Sequence, residues 1–411
     1  MTQQLHQHVF PNGLTLLFER MDHVRSATLH FMAPAGFTNE RGDRLGLAGI
    51  LAEMLTRGAG DRDSKALSLA LDNLGVDRGE SCGAFNITLS AGTLARNLPA
   101  ALTLYADIVR RPWLPDDELE AAQELALQDL QGLDDSPSEI CLLELRDRYY
   151  PPPYNRNQYG RRESIEAITT EDVREFYSAR FRPTGSILSV AGNADWEALK
   201  ASVGEAFGDW QGTPEPARPP GTHAPTSGHI HKETQQTQIA IAFPSASFGT
   251  DDFYPARGAI GVLSGGMGAR LFTEVREKRG LCYSVSASYD TVKDRAAVIC
   301  YAGTGADRAQ QTLDVTVGEL IRLKDGIEAE EVDRVRAGLK TSLIMQQEST
   351  SSRAGSMAAD WFYLGRVRRI DEIQTAIDAL TPAAILGYLD RFPARDFTVV
   401  TLGPAPLVTP A

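Results

Sequence analysis

The sequence predicts an α+β protein with two similar halves, each a largely antiparallel sheet packed with helices. Three observations support this fold class. Strand-like runs alternate with separate helical runs, a proline-rich segment lies near the middle of the chain, and short patterns recur in the same order on either side of it. Strands punctuated by separate helices favour α+β layers. At 411 residues the chain can hold two to four domains and a large buried core.

Short runs of alternating apolar and polar residues predict half-buried strands. These runs are residues 15–19, 27–31, 86–90 and 238–243. Long helices are predicted to open near Pro115 in the first half and near Ala329 in the second. Both openings are followed by acidic residues, which suit the positive end of a helix dipole.

The two halves also share a closing pattern. Thr169 is followed by a helical run and then by a hydrophobic strand at 186–192, and Thr381 is followed by a helical run and a strand at 397–403. Threonine is a good helix N-cap, and both strands end at glycine. The constant order and spacing indicate duplication, and chance similarity between short segments is the alternative.

Proline density sets the predicted domain boundary. Residues 212–221 read G-T-P-E-P-A-R-P-P-G, which excludes regular helix or central strand and predicts a stiff, extended linker. The predicted organisation is an N-terminal half at 1–211, a proline-rich linker at 212–228 and a C-terminal half at 229–411.

Composition excludes several classes of protein. Hydrophobic residues make up 42% and charged residues 23%, as in ordinary globular proteins. A net charge of −13 argues against a nucleic-acid partner. No apolar run approaches the ~18 residues of a membrane span, so no membrane association is expected. The polar N-terminus and four scattered cysteines predict a reduced cytoplasmic protein, or a periplasmic one if a signal segment has been removed.

Residues 46–55, G-L-A-G-I-L-A-E-M-L, have the apolar spacing of an amphipathic helix, and a plain core-facing helix is one interpretation. The segment also resembles the G-x-A-H-x-x-E-H-M helix of the pitrilysin/insulinase family of inverted zincin metallopeptidases. In that motif two histidines bind zinc and the glutamate activates water. Here Gly49 and Glu53 stand at the histidine positions and Ala52 at the glutamate position. The resemblance therefore implies a member whose zinc motif is degenerate.

The family's third zinc ligand is a glutamate on a later helix, and the matching position here is Asp129. Ala122 stands where the family usually has a supporting glutamate. Glu53 and Asp129 give two carboxylates and no imidazole, a poor donor set for zinc, so solvated or ion-paired carboxylates and no metal are expected. His229 and His231 could share one face of a strand, but no third ligand is close in sequence.

Residues 263–285 carry the longest family-like motif, L-S-G-G-M-G-A-R-L-F-T-E-V-R-E-K-R-G-L-C-Y-S-V. It resembles the family pattern G-G-G-x-x-S-R-L-F-x-x-(V/I)-R-E-x-x-G-L-x-Y-x-V. The resemblance implies that Arg276 and Tyr283 bind substrate carbonyls and stabilise an oxyanion opposite a zinc centre, roles that a guanidinium and a phenol can fill. The alternative is a surface ion pair of Arg276 with Glu274 or Glu277 and a packed Tyr283.

The resemblance covers nearly the whole chain and implies a processing-peptidase-like, non-catalytic subunit of a heterodimeric zinc metallopeptidase. Such a subunit supplies Arg276 and Tyr283 to a homologous zinc-bearing partner, holds no cofactor itself, cleaves no peptide alone and binds unstructured peptides along a sheet edge near 83–88. The alternatives are a zinc-less scaffold subunit and a peptide-binding protein of the same fold. A hydrolase with another nucleophile lacks support, because no cysteine lies near a histidine in sequence.

Overall fold

The computed structural model describes residues 3–213 and 219–409. Within them the strands are β1 (Gln4–Val9), β2 (Thr15–Arg20), β3 (Ser26–Ala33), β4 (Asp77–Cys82), β5 (Ile87–Leu94), β6 (Ile187–Gly192), β7 (Gly228–His231), β8 (Gln236–Pro244), β9 (Cys282–Val292), β10 (Arg295–Gly305) and β11 (Thr398–Gly403). The predicted linker at 212–228 includes residues 214–218, which lie outside the described residues, and Gly228 already opens β7.

The helices up to the middle of the chain are α1 (Leu47–Met54), α2 (Ser64–Asn73), α3 (Leu98–Arg110), α4 (Leu119–Gly132), α5 (Pro137–Tyr149), α6 (Arg162–Ala167), α7 (Thr170–Arg180) and α8 (Trp196–Phe207). Those that follow are α9 (Phe253–Ser264), α10 (Ala309–Arg322), α11 (Ala329–Gln347), α12 (Thr350–Leu364), α13 (Ile370–Asp378) and α14 (Pro382–Arg391). A π-helical turn occupies Phe272–Glu277.

The chain forms two compact units. Unit 1 comprises Met1–Gly132, Arg156–Pro219 and Met345–Arg369. Unit 2 comprises Leu133–Asn155, Pro220–Ile344 and Ile370–Ala411. The predicted contiguous halves, 1–211 and 229–411, therefore need correction, because the units exchange the segments that carry α5 and α12.

Each unit has its own sheet. Among the described residues, unit 1 has the strand order β1-β2-β6-β3-β5-β4 and unit 2 has the order β7-β11-β8-β10-β9. Of the strand pairs within the described residues, only β2–β6 and β7–β11 are parallel. Apart from the extra β1, the two sheets share one order and one pattern of pairing directions. The predicted α+β class with two similar, largely antiparallel halves is confirmed.

The exchanged helices explain why the units are discontinuous. The α12 helix packs on β3 and β6 of unit 1, where Ala354, Met357 and Ala358 are buried. In unit 2, α5 packs on β8 and β11, which are the topological counterparts of β3 and β6. Thus α12, from the C-terminal part of the chain, covers the sheet of unit 1, and α5, from the N-terminal part, covers the sheet of unit 2. Burying apolar surface in this way stabilises the fold by roughly 25 cal/mol per Å².

The helix caps follow the sequence signals. Thr169 accepts a hydrogen bond from the backbone N–H of Asp172, whose carboxylate accepts one from the N–H of Thr169, so a complete capping box opens α7. Thr381 caps α14 by accepting from the N–H of Ala384 at 3.1 Å. Since both helices lead into a fully buried strand, these caps help to fix where β6 and β11 enter their sheets.

The predicted peptide edge at 83–88 is in the wrong place. The backbone N–H of Gly83 donates to the carbonyl of Asn86 at 2.8 Å, so this segment is the turn between β4 and β5. The β5 strand then lies between β3 and β4. The edge of the unit 1 sheet on this side is therefore β4, and alternation alone could not show which strand of the hairpin lies outermost.

Candidate functional site

The degenerate motif lies on α1, whose first turn is held by a buried carboxylate. Glu40 is 1% exposed and accepts hydrogen bonds from the backbone N–H groups of Gly46 and Ala48, at 3.2 and 2.8 Å. Gly46 has φ +102°, and a Cβ there would lie 3.0 Å from the side chain of Ile165. Burial raises the pKa of the Glu40 carboxyl to about 7, although both N–H donors and nearby Arg156 oppose the rise.

The four degenerate positions come together in unit 1. Gly49, Ala52 and Glu53 on α1 and Asp129 on α4 line one cavity of about 220 Å³. The spacing of 49, 52 and 53 places them on one face of the helix, and α4 packs against that helix. The structure thus gathers the positions that the motif predicts.

The donor set of this cavity does not fit zinc. Gly49 and Ala52 carry no ligand atom, and Glu53 is bound to Arg57 at 2.5 Å. Arg57 also pairs with Glu118 at 2.9 Å. No group of three or more His, Cys, Asp or Glu side chains is arranged to hold a metal ion anywhere in residues 3–213 and 219–409. Asp129 is exposed.

Two further residues of the cavity were missed by the sequence analysis. Glu80 and Cys82 reach it from β4, and their i, i+2 spacing on a strand was the signal that could have paired them. Partial desolvation raises the pKa of the Glu80 carboxyl, and the nearby charge of Glu53 raises it further. Burial raises the pKa of the Cys82 thiol to about 12, so the thiol stays protonated and is a weak nucleophile at neutral pH.

Arg276 lies in unit 2, in the π-helical turn at Phe272–Glu277. Its guanidinium lies over the ring of Phe272, 4.9 Å from the centroid, and the residue is exposed. Glu274 instead pairs with Lys278 and Arg279, at 2.7 and 2.8 Å. Within the described part of the chain Arg276 forms no ion pair, so the alternative of a surface pair with Glu274 or Glu277 does not hold.

Tyr283 lies near the start of β9, at the edge of the unit 2 sheet, and is 48% exposed. Its hydroxyl donates to the side-chain Oε1 of Gln236 at 2.6 Å. A Cβ on Gly303 of the intervening strand β10 would lie only 2.5 Å from that hydroxyl. Gly303 thus leaves the space in which the phenol lies, so Tyr283 packs on the sheet over Gly303 while about half of its surface stays exposed.

The two histidines with a possible shared strand face have other partners. His229 Nδ1 lies 2.8 Å from the hydroxyl of Thr401, and His231 Nε2 lies 3.1 Å from Glu233. Burial, together with His231, lowers the pKa of His229. Neither belongs to a metal-binding cluster among the residues that the structure describes.

Comparison with known proteins agrees with this geometry. The profile described as "Insulinase (Peptidase family M16)" matches residues 16–158, and the one described as "Peptidase M16 inactive domain" matches residues 167–339. Together they span most of the chain. The chain belongs to peptidase family M16.

Relatives of this M16 chain match it over most of their length. A protein of Rickettsia bellii named "Uncharacterized zinc protease" is 24% identical, with 96% of each chain covered. The crystal structure of a "peptidase M16 inactive domain" from Pseudomonas fluorescens has a TM-score of 0.90 at 23% identity and covers 99% of both chains. A protease from Helicobacter pylori gives 0.89 at 19% identity, covering 98% of this chain and all of that one. The solved structures confirm the two-unit M16 fold.

Among the described residues, no helix is both long and apolar enough to cross a bilayer.

Proposed function

We propose that this M16 chain is the non-catalytic subunit of a two-chain metallopeptidase and contributes Arg276 and Tyr283 to peptide hydrolysis at the zinc site of a homologous partner. The observation that carries the proposal is an asymmetry within the chain. The α1 cavity lacks a zinc ligand at Gly49 and a base at Ala52, whereas Arg276 and Tyr283 are exposed and form no ion pair with an acidic side chain among the described residues.

Each side chain has a defined task in this proposal. The phenol of Tyr283 exchanges its hydrogen bond to Gln236 for one to the oxygen on which negative charge develops when a peptide carbonyl is attacked. The guanidinium of Arg276 holds a neighbouring substrate carbonyl and adds fixed positive charge. The partner's zinc supplies the activated water and Lewis acid. An unstructured peptide is the expected substrate, because an extended chain can pair with an exposed strand edge.

A reconstitution experiment tests the proposal. The chain is mixed with a relative that retains H-x-x-E-H, and hydrolysis of a quenched fluorescent peptide is followed. Tyr283→Phe should lower kcat by a factor on the order of 10²–10³, the usual effect of losing one oxyanion donor. Arg276→Ala should lower kcat and also raise KM. Arg279→Ala is the matched control, because Arg279 is bound to Glu274.

The outcomes separate the alternatives. Assembly and the zinc content of the partner should be unchanged in both variants, which shows that the losses are chemical. A partner that is fully active alone, or a complex indifferent to both substitutions, would make this chain a scaffold subunit. Saturable peptide binding without any activation of a partner would make it a peptide-binding protein.

A further inference from the structure

A second cavity in unit 1 lies away from the degenerate zinc motif. Its volume is about 740 Å³, and it lies between the first turns of α3 and α8. Its walls are largely apolar, with Leu98 and Leu102 on one side and Leu199 on the other. Leu94 also lines it and is 45% exposed. A volume of this size lies within the roughly 300–1,000 Å³ of ordinary ligand sites.

Positive charge lies at the rim of this cavity. Arg25 and Arg96 both line it and both are exposed. Neither forms an ion pair within residues 3–213 and 219–409, although the chain has a net charge of −13. The one carboxylate in the lining, that of Asp195, accepts the backbone N–H of Ala198 at 2.9 Å and caps α8. The rim therefore offers two guanidinium groups without a bound carboxylate.

Unit 2 shows what can lie against the corresponding helix. There β10, a short turn at Ala306–Arg308 and α10 repeat the sequence of β5, the turn at Ala95–Asn97 and α3. The segment that follows β11 lies against α10 in a non-helical conformation. The N–H of Val408 donates to Oε1 of Gln310 at 2.8 Å, and Nε2 of Gln310 donates to the carbonyl of Val408 at 3.0 Å.

The corresponding region of unit 1, beside α3, is built differently. Leu407, beside Val408, packs against the apolar core of unit 2. In unit 1 the chain that leaves β6 turns at once into α8, so no extended segment of that kind follows the strand. The first turn of α3 therefore faces the cavity. Pro99 is the second residue of α3, as Gln310 is the second residue of α10.

We propose that the cavity between α3 and α8 binds an extended, apolar segment of another protein chain, with a carboxylate of that segment received by Arg25 and Arg96. The apolar walls take aliphatic side chains, and the free guanidinium groups supply charge-assisted hydrogen bonds at the rim. The occupant is a peptide because unit 2 holds such a segment at the corresponding helix. Neither Arg276 nor Tyr283 lines this cavity.

The test uses a defined probe on the full chain. Fluorescein-Gly-Gly-Ala-Pro-Leu-Val copies residues 405–408 and ends in a free carboxylate, and the same peptide with a C-terminal amide is the control. Fluorescence anisotropy should show saturable binding of the acid. Because the arginines are exposed, the amide should bind about threefold to tenfold more weakly, and Arg25→Gln with Arg96→Gln should have the same effect.

Two further variants locate the site. Ala198→Trp places a large side chain in the cavity from an exposed position on α8 and should abolish binding, whereas Arg161→Gln, an exposed arginine of unit 1 outside the cavity, should have no effect. Equal affinity for acid and amide, or unchanged binding by Ala198→Trp, would overturn the proposal. So would saturable binding of decanoate at this site without binding of the peptide, since the ligand would then be a small amphiphile.

Discussion

The hydroxyl of Tyr283 donates a 2.6 Å hydrogen bond to Gln236 across the intervening strand β10, directly over Gly303. Gln236 lies on β8 and Tyr283 on β9, so the two side chains together reach across two strand spacings. Such a reach is possible only because Gly303 has no side chain. The phenol that we assign to substrate binding is therefore positioned by residues on two other strands, outside the motif at 263–285.

Gly303 is a positioning residue, and its replacement should weaken the proposed activity. In Gly303→Ala the new Cβ would lie 2.5 Å from the Tyr283 hydroxyl and must displace it. A displacement of about 1 Å can lower a rate by up to about 10²-fold, so kcat of the assembled peptidase should fall more than KM changes. A shift of the Tyr283 signal in ¹³C-tyrosine NMR of the isolated chain provides a readout without the partner.

The matched control is Gly318→Ala on α10, where a new Cβ meets no atom within 4 Å. That change should leave activity intact and raise stability slightly, because alanine is a better helix former than glycine by about 1 kcal/mol. An unshifted Tyr283 signal in Gly303→Ala would refute the positioning role.

A zinc site should be recoverable at the degenerate motif. A Cβ at Gly49 would lie 3.6 Å from its nearest neighbour, the carbonyl of Gln158, which is an ordinary contact. Gly49→His with Glu53→His places two imidazoles at i and i+4, and Asp129→Glu adds the longer carboxylate. Purified triple variant should hold about one zinc per chain by elemental analysis, in line with such three-ligand sites.

Two proteins are the controls for zinc content: the wild-type chain, and the triple variant with Asp129→Asn in place of Asp129→Glu. Both should hold much less zinc than the triple variant. The triple variant should still cleave no peptide alone, since Ala52 supplies no base. A folded triple variant with no more zinc than its control would show that the backbone, and not only the side chains, has left the zinc-binding geometry.

Glu40 should make stability depend on pH in a defined direction. Its pKa is about 7 in the folded chain against an ordinary value of 4.5. Because the pKa of Glu40 is higher in the folded chain than in the unfolded chain, this group contributes its full stabilisation of the fold below pH 4.5. That contribution is lost as the pH rises towards 7. The free energy of unfolding should therefore fall across this window by at most about 1.4 kcal/mol per pH unit from this group. Arg156 and the Cys82 thiol are its titratable neighbours.

Urea unfolding at pH 5, 6 and 7 compares the wild type with Glu40→Gln. The glutamine keeps an oxygen that can accept from Gly46 and Ala48 but does not titrate. The stability of the variant relative to the wild type should rise between pH 5 and pH 7. Parallel profiles would mean that Glu40 is ionised throughout and that the two N–H donors outweigh burial.

Local features were predictable from the sequence because their causes are local. The strands at 15–19 and 238–243, the caps at Thr169 and Thr381, and the i, i+4 relation of Gly49 to Glu53 all depend on neighbours within a few residues. The prediction that these two strands are half-buried is wrong, because every residue in both runs is buried. The cavity around these positions was predictable only through the family resemblance. The ion pair of Glu53 with Arg57 also lies within one turn and was open to sequence reasoning.

Long-range features were not predictable in the same way. The exchange of α5 and α12 depends on which apolar face covers which sheet, and either sheet offers a similar surface. Tyr283 and Gln236 are 47 positions apart in the sequence, and their contact depends on Gly303, which belongs to no motif. Glu80 and Cys82 join the cavity only because β4 is the outer strand of its hairpin.

The most distant of these contacts carries the last prediction. Arg353 on α12 donates to Oε2 of Glu19 on β2 through Nε and Nη2, at 2.8 and 2.6 Å, and both side chains are less than a tenth exposed. The two residues are 334 positions apart. Arg353→Met would leave the Glu19 carboxylate buried without its partner, which should lower the free energy of unfolding by about 3–5 kcal/mol.

The double variant Glu19→Gln with Arg353→Met removes the buried charge and should recover most of that loss, because a buried ion pair is often replaceable by uncharged groups of similar size. Arg20→Met is the control. Arg20, one position after Glu19, pairs with Asp22, but both side chains are more than a third exposed, so its loss should cost less than about 1 kcal/mol. Urea titration at pH 7 measures all three. If Arg353→Met were as stable as Arg20→Met, packing of Ala354, Met357 and Ala358 alone would hold α12 on its sheet.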